Sequence, residues 1–287
     1  LGEGTLAMQF RRLGRTNLQV SLIGLGSGGA SQLGQNYDMS REDIHALVRR
    51  AVDLGINTFD TGKYGDSESL LGEALEGLPR DSYILSTKFL PRGSDGQPGD
   101  LRKSVEESLT RLRTDHVDVM SLHGIAPTAY TRVMDTFGDE LVTMQREGKA
   151  RFLGISEAGD DGHEMVPMAL ASDVFDVILI NFNLLAPGAL VETLPLAAAK
   201  DVGVIGMCAV RTVIARPELL TAVIRDWKQA GLLAPDAVPD EGALDWALDA
   251  NTPTVTDAAY KFAAEPAAMG CVLTGTANIH HLEANVA

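Results

Sequence analysis

The chain has 287 residues, 45% of them hydrophobic, which is enough for one large core. A formal charge of −15 and an isoelectric point near 4.7 argue against a polyanionic partner, because a phosphate backbone is bound by clustered Lys and Arg that displace counterions. No apolar run approaches the roughly 20 residues that span a bilayer, and the first residues lack the basic-then-apolar order of a signal peptide. A cytoplasmic protein with neither membrane nor nucleic-acid partners is expected.

Residues 1–7, LGEGTLA, read as a flexible start or a tag remnant, and residues 8–287 as one domain. QFRRLGRTNLQVS then pairs two short extended arms around a turn signal, a hairpin suited to closing the bottom of a barrel. Eight strand-like runs follow, at Ser21–Ser27, Asn57–Asp60, Tyr83–Lys88, Val117–His123, Arg151–Ser156, Val177–Asn181, Gly203–Ala209 and Gly270–Gly275. Helical stretches separate them. After the first run, the glycines from Gly26 to Gly29 miss the GxGxxG spacing of a Rossmann fingerprint and read as places where backbone approaches a ligand. Ser40 and Asp43 open the next helix as a cap and Gly55 stops it. Between the seventh and eighth runs an excursion carries helix candidates at Glu218–Ala230, Glu241–Ala250 and Val255–Ala264. The last helix has run barely two turns at Ala287, and whether a C-terminal helix and tail are missing stays open. Eight βα units imply a closed (β/α)8 TIM barrel with a hairpin plug and extra helices before the last strand.

Cys208 and Cys271 lie in apolar segments and read as core thiols, with neither a disulfide framework nor CxxC metal spacing. His45, His116 and His163 read as helix or loop residues without partners. The adjacent His280 and His281 form no metal-ligating cluster, and no metal is expected.

Asp60, Lys88 and His123 close three successive strand-like runs, and Tyr64 stands four residues beyond the first. In a parallel barrel these ends share one rim, where loops from different strands meet over a single mouth. Each alone has a plain structural reading, an ion pair, a strand-capping histidine and a rim tyrosine; the four together read as a catalytic constellation.

FDTGKYGDSESLLGEAL, STK, DHVDVMSLH and GKARFLGIS, in that order, resemble the aldo-keto reductase family, with agreement from Met8 to Asn285. The resemblance implies a barrel that binds an extended nicotinamide dinucleotide and reduces carbonyls. It also implies Tyr64 as general acid, Lys88 beside it, Asp60 paired to the lysine and His123 orienting the carbonyl. The chemistry asks for the same residue types. Hydride reaching a carbonyl carbon leaves an alkoxide that needs a proton, which a phenol can deliver. An adjacent ammonium is expected to lower the phenol from its ordinary value of about 10. A carboxylate keeps that ammonium charged.

Several positions depart from the family's pattern. Asp60 to Tyr64 is four residues where the family usually has five, and Gly62 is expected to absorb the deletion through conformations closed to other residues. Ser156 is followed by Glu157 in place of asparagine at the nicotinamide amide; glutamate accepts but cannot donate, and Asn181 is expected to supply the donor. Met207 replaces the stacking aromatic, with Cys208 beside it. Gly275, Thr276 and Asn278 open the last helix, whose N-terminus can attract phosphate, and His281 and Asn285 fall where the family contacts ribose and adenine. NADP-preferring members carry Lys or Arg where this chain has Gly275 and His281, so NADP and NAD both stay open, with Arg211 a candidate compensating cation.

The resulting expectation is a nicotinamide-dependent oxidoreductase acting on an aldehyde, ketone or sugar hemiacetal. Its substrate choice would lie in the loops GASQLGQNYDMS, FLPRGSDGQPGD and GIAPTAYT. The alternative is a catalytically weak dinucleotide-binding barrel that acts as a redox sensor or protein-interaction subunit. A Schiff-base role for Lys88 is disfavoured by Asp60 nearby.

Overall fold

A computed structural model describes residues 7–91, 100–159 and 163–287. The chain opens with an antiparallel pair, β1 (Phe10–Arg12) and β2 (Gln19–Ser21), with Phe10 opposite Ser21 and Arg12 opposite Gln19. Between its arms, Leu13 is fully buried. A Cβ on Gly203 or Gly270 would stand 2.6–2.8 Å from Leu13 carbon atoms, so two glycines make room for this plug. Arg15 ties the hairpin down, donating to Asp173 at 2.6 Å and Asp176 at 3.0 Å.

Eight parallel strands then close into a barrel. They are β3 (Ile23–Gly26), β4 (Thr58–Asp60), β5 (Ile84–Phe89), β6 (Val117–Ile125), β7 (Ala150–Glu157), β8 (Val177–Asn181), β9 (Gly203–Met207) and β10 (Met269–Thr274). Each pairs with its neighbour in sequence, and β10 returns to β3. The alternation of strand side chains decides which layer each residue enters. On β8, Val177 and Leu179 join Leu13, Val20, Ile84, Val119, Ile205 and Cys271 in the barrel interior, while Ile178 and Ile180 face the outer helices.

Those helices are α1 (Arg41–Asp53), α2 (Ser67–Leu75), α3 (Asp100–Leu112), α4 (Tyr130–Arg146), α5 (Met165–Ser172), α6 (Thr193–Ala199), α7 (Arg211–Ala215), α8 (Pro217–Gln229), α9 (Val255–Ala264) and α10 (Ile279–Val286). The expected caps of α1 are present: Ser40 Oγ accepts from Asp43 N at 3.1 Å, and Gly55 ends the helix at φ +89°. Ile44, Leu47, Val48 and Ala51 are its buried stripe.

Two expectations need correction. Glu241–Ala250 is not a helix; only a single turn forms at Asp245–Ala247. Gly242 takes a left-handed φ of +66°, and the adjacent Ala243 and Leu244 are both buried against Ile214, Leu220, Ile224 and Ala259. The left-handed turn at Gly242 interrupts the helical path, and packing of Ala243 and Leu244 into this cluster overrides local preference. The seventh barrel strand ends at Met207, two residues early, because Cys208 turns to φ +62°. Cys208 is therefore exposed and is not a core thiol, whereas Cys271 is one, with burial pushing its thiol far up from the ordinary value. Among the described residues no helix is long and apolar enough to cross a membrane.

Candidate active site

Strand period places Thr58 and Asp60, Ser86 and Lys88, and Ser121 and His123 on the inward face, with the charged member at the C-terminal rim. Lys88 Nζ donates to Asp60 Oδ2 and, at 2.8 Å, to the Thr61 carbonyl; both side chains are about 5% exposed (4% and 6%). Ser86 Oγ donates to the other Asp60 oxygen at 2.9 Å. Each member of the ion pair thus has a further hydrogen-bond partner, which helps a buried pair offset its desolvation.

The short loop closes with a tight turn: Tyr64 N donates to the Gly62 carbonyl at 2.8 Å, across a single residue. Tyr64 Oη thereby reaches 3.1 Å from His123 Nε2, with the two rings edge to face. Lys88 Nζ lies 5.9 Å from the phenol ring centre. Gly62 does not use a left-handed conformation, contrary to expectation; its contribution is space. A Cβ there would approach Tyr64 Cε2 and Cζ at 3.0 and 3.1 Å, and one on Gly28 would approach the same atoms at 3.0 and 3.3 Å. Two glycines from different loops therefore form a slot for the ring. Gln35 holds the loop backbone, its Nε2 donating to the Tyr64 carbonyl at 3.2 Å and to Ser67 Oγ at 2.8 Å, and its Oε1 accepting from Asp66 N at 2.8 Å. Gly28→Ala is expected to push the phenol aside by a few tenths of an ångström and lower kcat about two- to tenfold with little change in melting temperature. Steady-state kinetics beside a thermal melt would check this; unchanged kcat would show that the ring tolerates the methyl.

The expectation that Lys88 lowers the phenol pKa is reversed. Tyr64 is raised well above its ordinary value, first by burial and then by the carboxylates of Asp60 and Glu68 and by the Cys208 sulfur. Asp60, which holds the lysine charge, is the larger of the two carboxylate contributions, and Glu68 adds to it. Glu68 is itself buried and accepts from Thr87 Oγ1 at 2.6 Å and Arg111 Nε at 2.7 Å.

Ser156 joins this group, its Oγ 2.6 Å from His123 Nδ1. Glu157 is turned to internal use: Oε1 accepts from the Asn181 backbone N–H and Oε2 lies 2.7 Å from His163 Nδ1. The Asn181 amide donates to the Gly159 carbonyl. His163 therefore has a partner, contrary to expectation. So does His116, 2.6 Å from Asp115, whereas His45 Nε2 approaches Glu73 Oε2 at 3.2 Å without forming a hydrogen bond. Met207 packs on the interior cluster beside Leu273 and is half-buried.

A second group forms where the first and last βα loops meet. Gly26 is paired to Asp60 across β3 and β4. A Cβ on Gly275 would lie 3.7 Å from the Gly26 and Gly28 carbonyl oxygens and 3.9 Å from Ser31 Oγ, a buried hydroxyl with no partner among the described residues. Thr276 Oγ1 accepts from Asn278 N at 3.0 Å, and Asn278 Oδ1 caps α10, accepting from His280 N at 2.8 Å and His281 N at 3.3 Å. Asn285 turns inward, its Nδ2 donating to Thr274 Oγ1 at 2.8 Å, which also accepts from Tyr260 Oη at 2.7 Å. Arg211 opens α7, beyond Cys208. Of the loops expected to govern substrate choice, the second falls largely on residues 92–99, outside the described residues.

Sequence reasoning missed Ser86, Gln35, Ser31, Thr274 and Tyr260, and it read Gly28 as room for a ligand and not as part of the slot for Tyr64. Ser86 had a signal, since it lies two residues before Lys88 and period two turns it inward. Ser31 and Gln35 lie together between β3 and α1, while Tyr260 is on α9 and Thr274 ends β10, and none of the four carried a signal of its own.

The sequence profile of the aldo/keto reductase family matches residues 23–287. The chain is similar to L-galactose dehydrogenase of Arabidopsis thaliana, 31% identical over 289 residues that cover 98% of this chain and 88% of that protein. It is also similar to 6-dehydroglucose reductase of Novosphingobium aromaticivorans, 34% identical over 166 residues, 53% of this chain and 52% of that protein. Among solved structures, the holo form of an aldo-keto reductase from Bacillus halodurans superposes with a TM-score of 0.74 at 23% identity, covering 97% of this chain and 90% of that one. An aldo-keto reductase from Klebsiella pneumoniae in complex with NADPH superposes with a TM-score of 0.64 at 20% identity, covering 98% and 89%.

Proposed function

This chain belongs to the aldo/keto reductase family, and from that premise we propose that it interconverts an aldehyde, ketone or sugar hemiacetal with its alcohol or lactone, using a nicotinamide dinucleotide and Tyr64 as the proton donor and acceptor. The observation that carries this reading is the convergence at the barrel rim of two hydrogen-bonded pairs, Asp60 with Lys88 and Tyr64 with His123, Lys88 Nζ lying 5.9 Å from the Tyr64 ring centre. Two relatives are named for sugars, L-galactose and 6-dehydroglucose, and we take a sugar as the substrate class.

The residues present fit the dinucleotide. The bare backbone of Gly26, Gly28 and Gly275 converges beside the unpartnered hydroxyl of Ser31, leaving close approach open to a polar, extended ligand. Gly275, Thr276, His281 and Arg211 would face its adenosine half, and Met207, Cys208, Ser156 and Asn181 its nicotinamide half. Glu157 would act there only indirectly, because both its oxygens are engaged. When bound, the dinucleotide supplies or takes up the hydride. Tyr64 holds the proton to be delivered to the carbonyl oxygen, His123 orients that oxygen, and the Asp60–Lys88 pair gives the alkoxide a fixed polar environment.

Tyr64 is raised above its ordinary value, so its acid form persists through neutral and mildly alkaline solution. Reductive kcat/KM is expected to stay level from about pH 6 to about pH 9, while the oxidative rate, which needs the phenol deprotonated, climbs up to about tenfold per pH unit. A reductive rate that collapses near neutrality would contradict the assignment. The function itself is tested by titrating the protein with NAD and NADP, oxidised and reduced, through tryptophan fluorescence, followed by turnover of a panel of aldoses and simple carbonyls. Binding with turnover supports the reading. Binding without turnover of any substrate would favour the sensor, and no binding would sink both.

A further inference from the structure

Ser156 Oγ is fully buried and lies within hydrogen-bond reach of two groups among the described residues: Gly124 N at 3.0 Å and His123 Nδ1 at 2.6 Å. A backbone N–H can only donate, so Gly124 takes one lone pair of the hydroxyl oxygen. The hydroxyl proton then has a single acceptor, the imidazole Nδ1. The opposite arrangement, with Nδ1–H donating to Ser156, would leave a buried O–H without an acceptor, and buried polar groups are almost always paired. From this geometry we propose that Ser156 is a positioning residue that sets the His123 ring as the neutral Nε2–H tautomer.

The consequence runs outward to the reacting end of the site. With the ring proton on Nε2, His123 donates to Tyr64 Oη across the 3.1 Å contact. The phenol cannot give its own proton back along that line, so the Tyr64 O–H turns toward the barrel mouth, where a carbonyl oxygen would receive it. In the other tautomer, Nε2 would accept the phenol proton and draw it away from substrate. The relay Gly124 N–H to Ser156 to His123 to Tyr64 thus gives the donor a direction. It also fixes what Ser156 can offer an amide beside it: one lone pair for an N–H, and no proton for a carbonyl.

The tautomer does not depend on the proposed enzyme function; only its kinetic consequence rests on that reading. The test is two-bond proton–nitrogen NMR of the 15N-labelled, dinucleotide-free full chain at neutral pH, with the His123 ring assigned from the spectrum of His123→Gln. Wild type is expected to show an unprotonated, acceptor-type Nδ1 and a protonated Nε2. Ser156→Ala should shift the population toward Nδ1–H, and Ser156→Thr, which keeps the hydroxyl, should restore the wild-type pattern. A wild-type spectrum with Nδ1 protonated, or a pattern indifferent to Ser156→Ala, overturns the proposal. Should Ser156→Ala fail to fold, the wild-type spectrum alone decides. In turnover, Ser156→Ala is expected to lower reductive kcat about tenfold at unchanged KM, with threonine rescuing it. An inactive wild type would sink the reductase reading and leave the tautomer result standing.

Discussion

Tyr64→Phe is expected to lower carbonyl reduction about 10²- to 10⁴-fold while leaving dinucleotide affinity within about twofold. The substitution deletes only Oη. The ring stays in the slot between Gly28 and Gly62, and the loop backbone stays held by Gln35, so neither fold nor the neighbouring surfaces should move. A loss of this size corresponds to roughly 3–5 kcal/mol of transition-state stabilisation, far more than one hydrogen bond to His123 contributes to the ground state. Single-turnover reduction, measured beside fluorescence titration of the dinucleotide, separates chemistry from binding. A variant that reduces substrate at the wild-type rate would remove Tyr64 from the mechanism and favour the binding-only reading.

Lys88→Met should cost about 3–5 kcal/mol of folding stability, because it leaves the Asp60 carboxylate buried with Ser86 Oγ but no cation. For a chain of this size the melting temperature should fall by on the order of 10 °C. Turnover should fall as well, since the alkoxide loses its nearest positive charge. Adding Asp60→Leu removes the orphaned carboxylate, and the double variant is expected to recover much of the stability while remaining inactive. Urea denaturation of both variants distinguishes the two effects. If the double variant regained turnover, the pair would be structural only.

Glu157 illustrates how a substitution visible in the sequence can change meaning in the fold. Read along the chain, a glutamate beside Ser156 faces the nicotinamide amide as an acceptor. In the folded protein its two oxygens are taken by the Asn181 backbone and by His163, groups 24 and 6 residues away. Satisfying the buried carboxylate from the nearest donors outweighs keeping it open, since an unpaired buried charge is costly. Asn181 is diverted in the same way, donating to Gly159.

Periodicity and strand-end position determined a great deal. Runs of β-branched residues separated by helical stretches specified eight parallel strands, the hairpin plug and the caps of α1, because backbone geometry repeats every two or every 3.6 residues and is written locally. The same period placed Asp60, Lys88 and His123 inward on one rim. Tertiary structure alone decided the left-handed turn at Cys208, the unwound stretch around Gly242, the inward turn of Asn285 and the glycine slot that returns Tyr64 to His123 despite the shortened loop. It also decided the environment of the phenol, which burial first, and then the carboxylates of Asp60 and Glu68, hold above its ordinary value, where sequence proximity to the lysine suggests the opposite. These outcomes turn on which side chains compete for a shared space or proton, and such competitors come from distant parts of the chain.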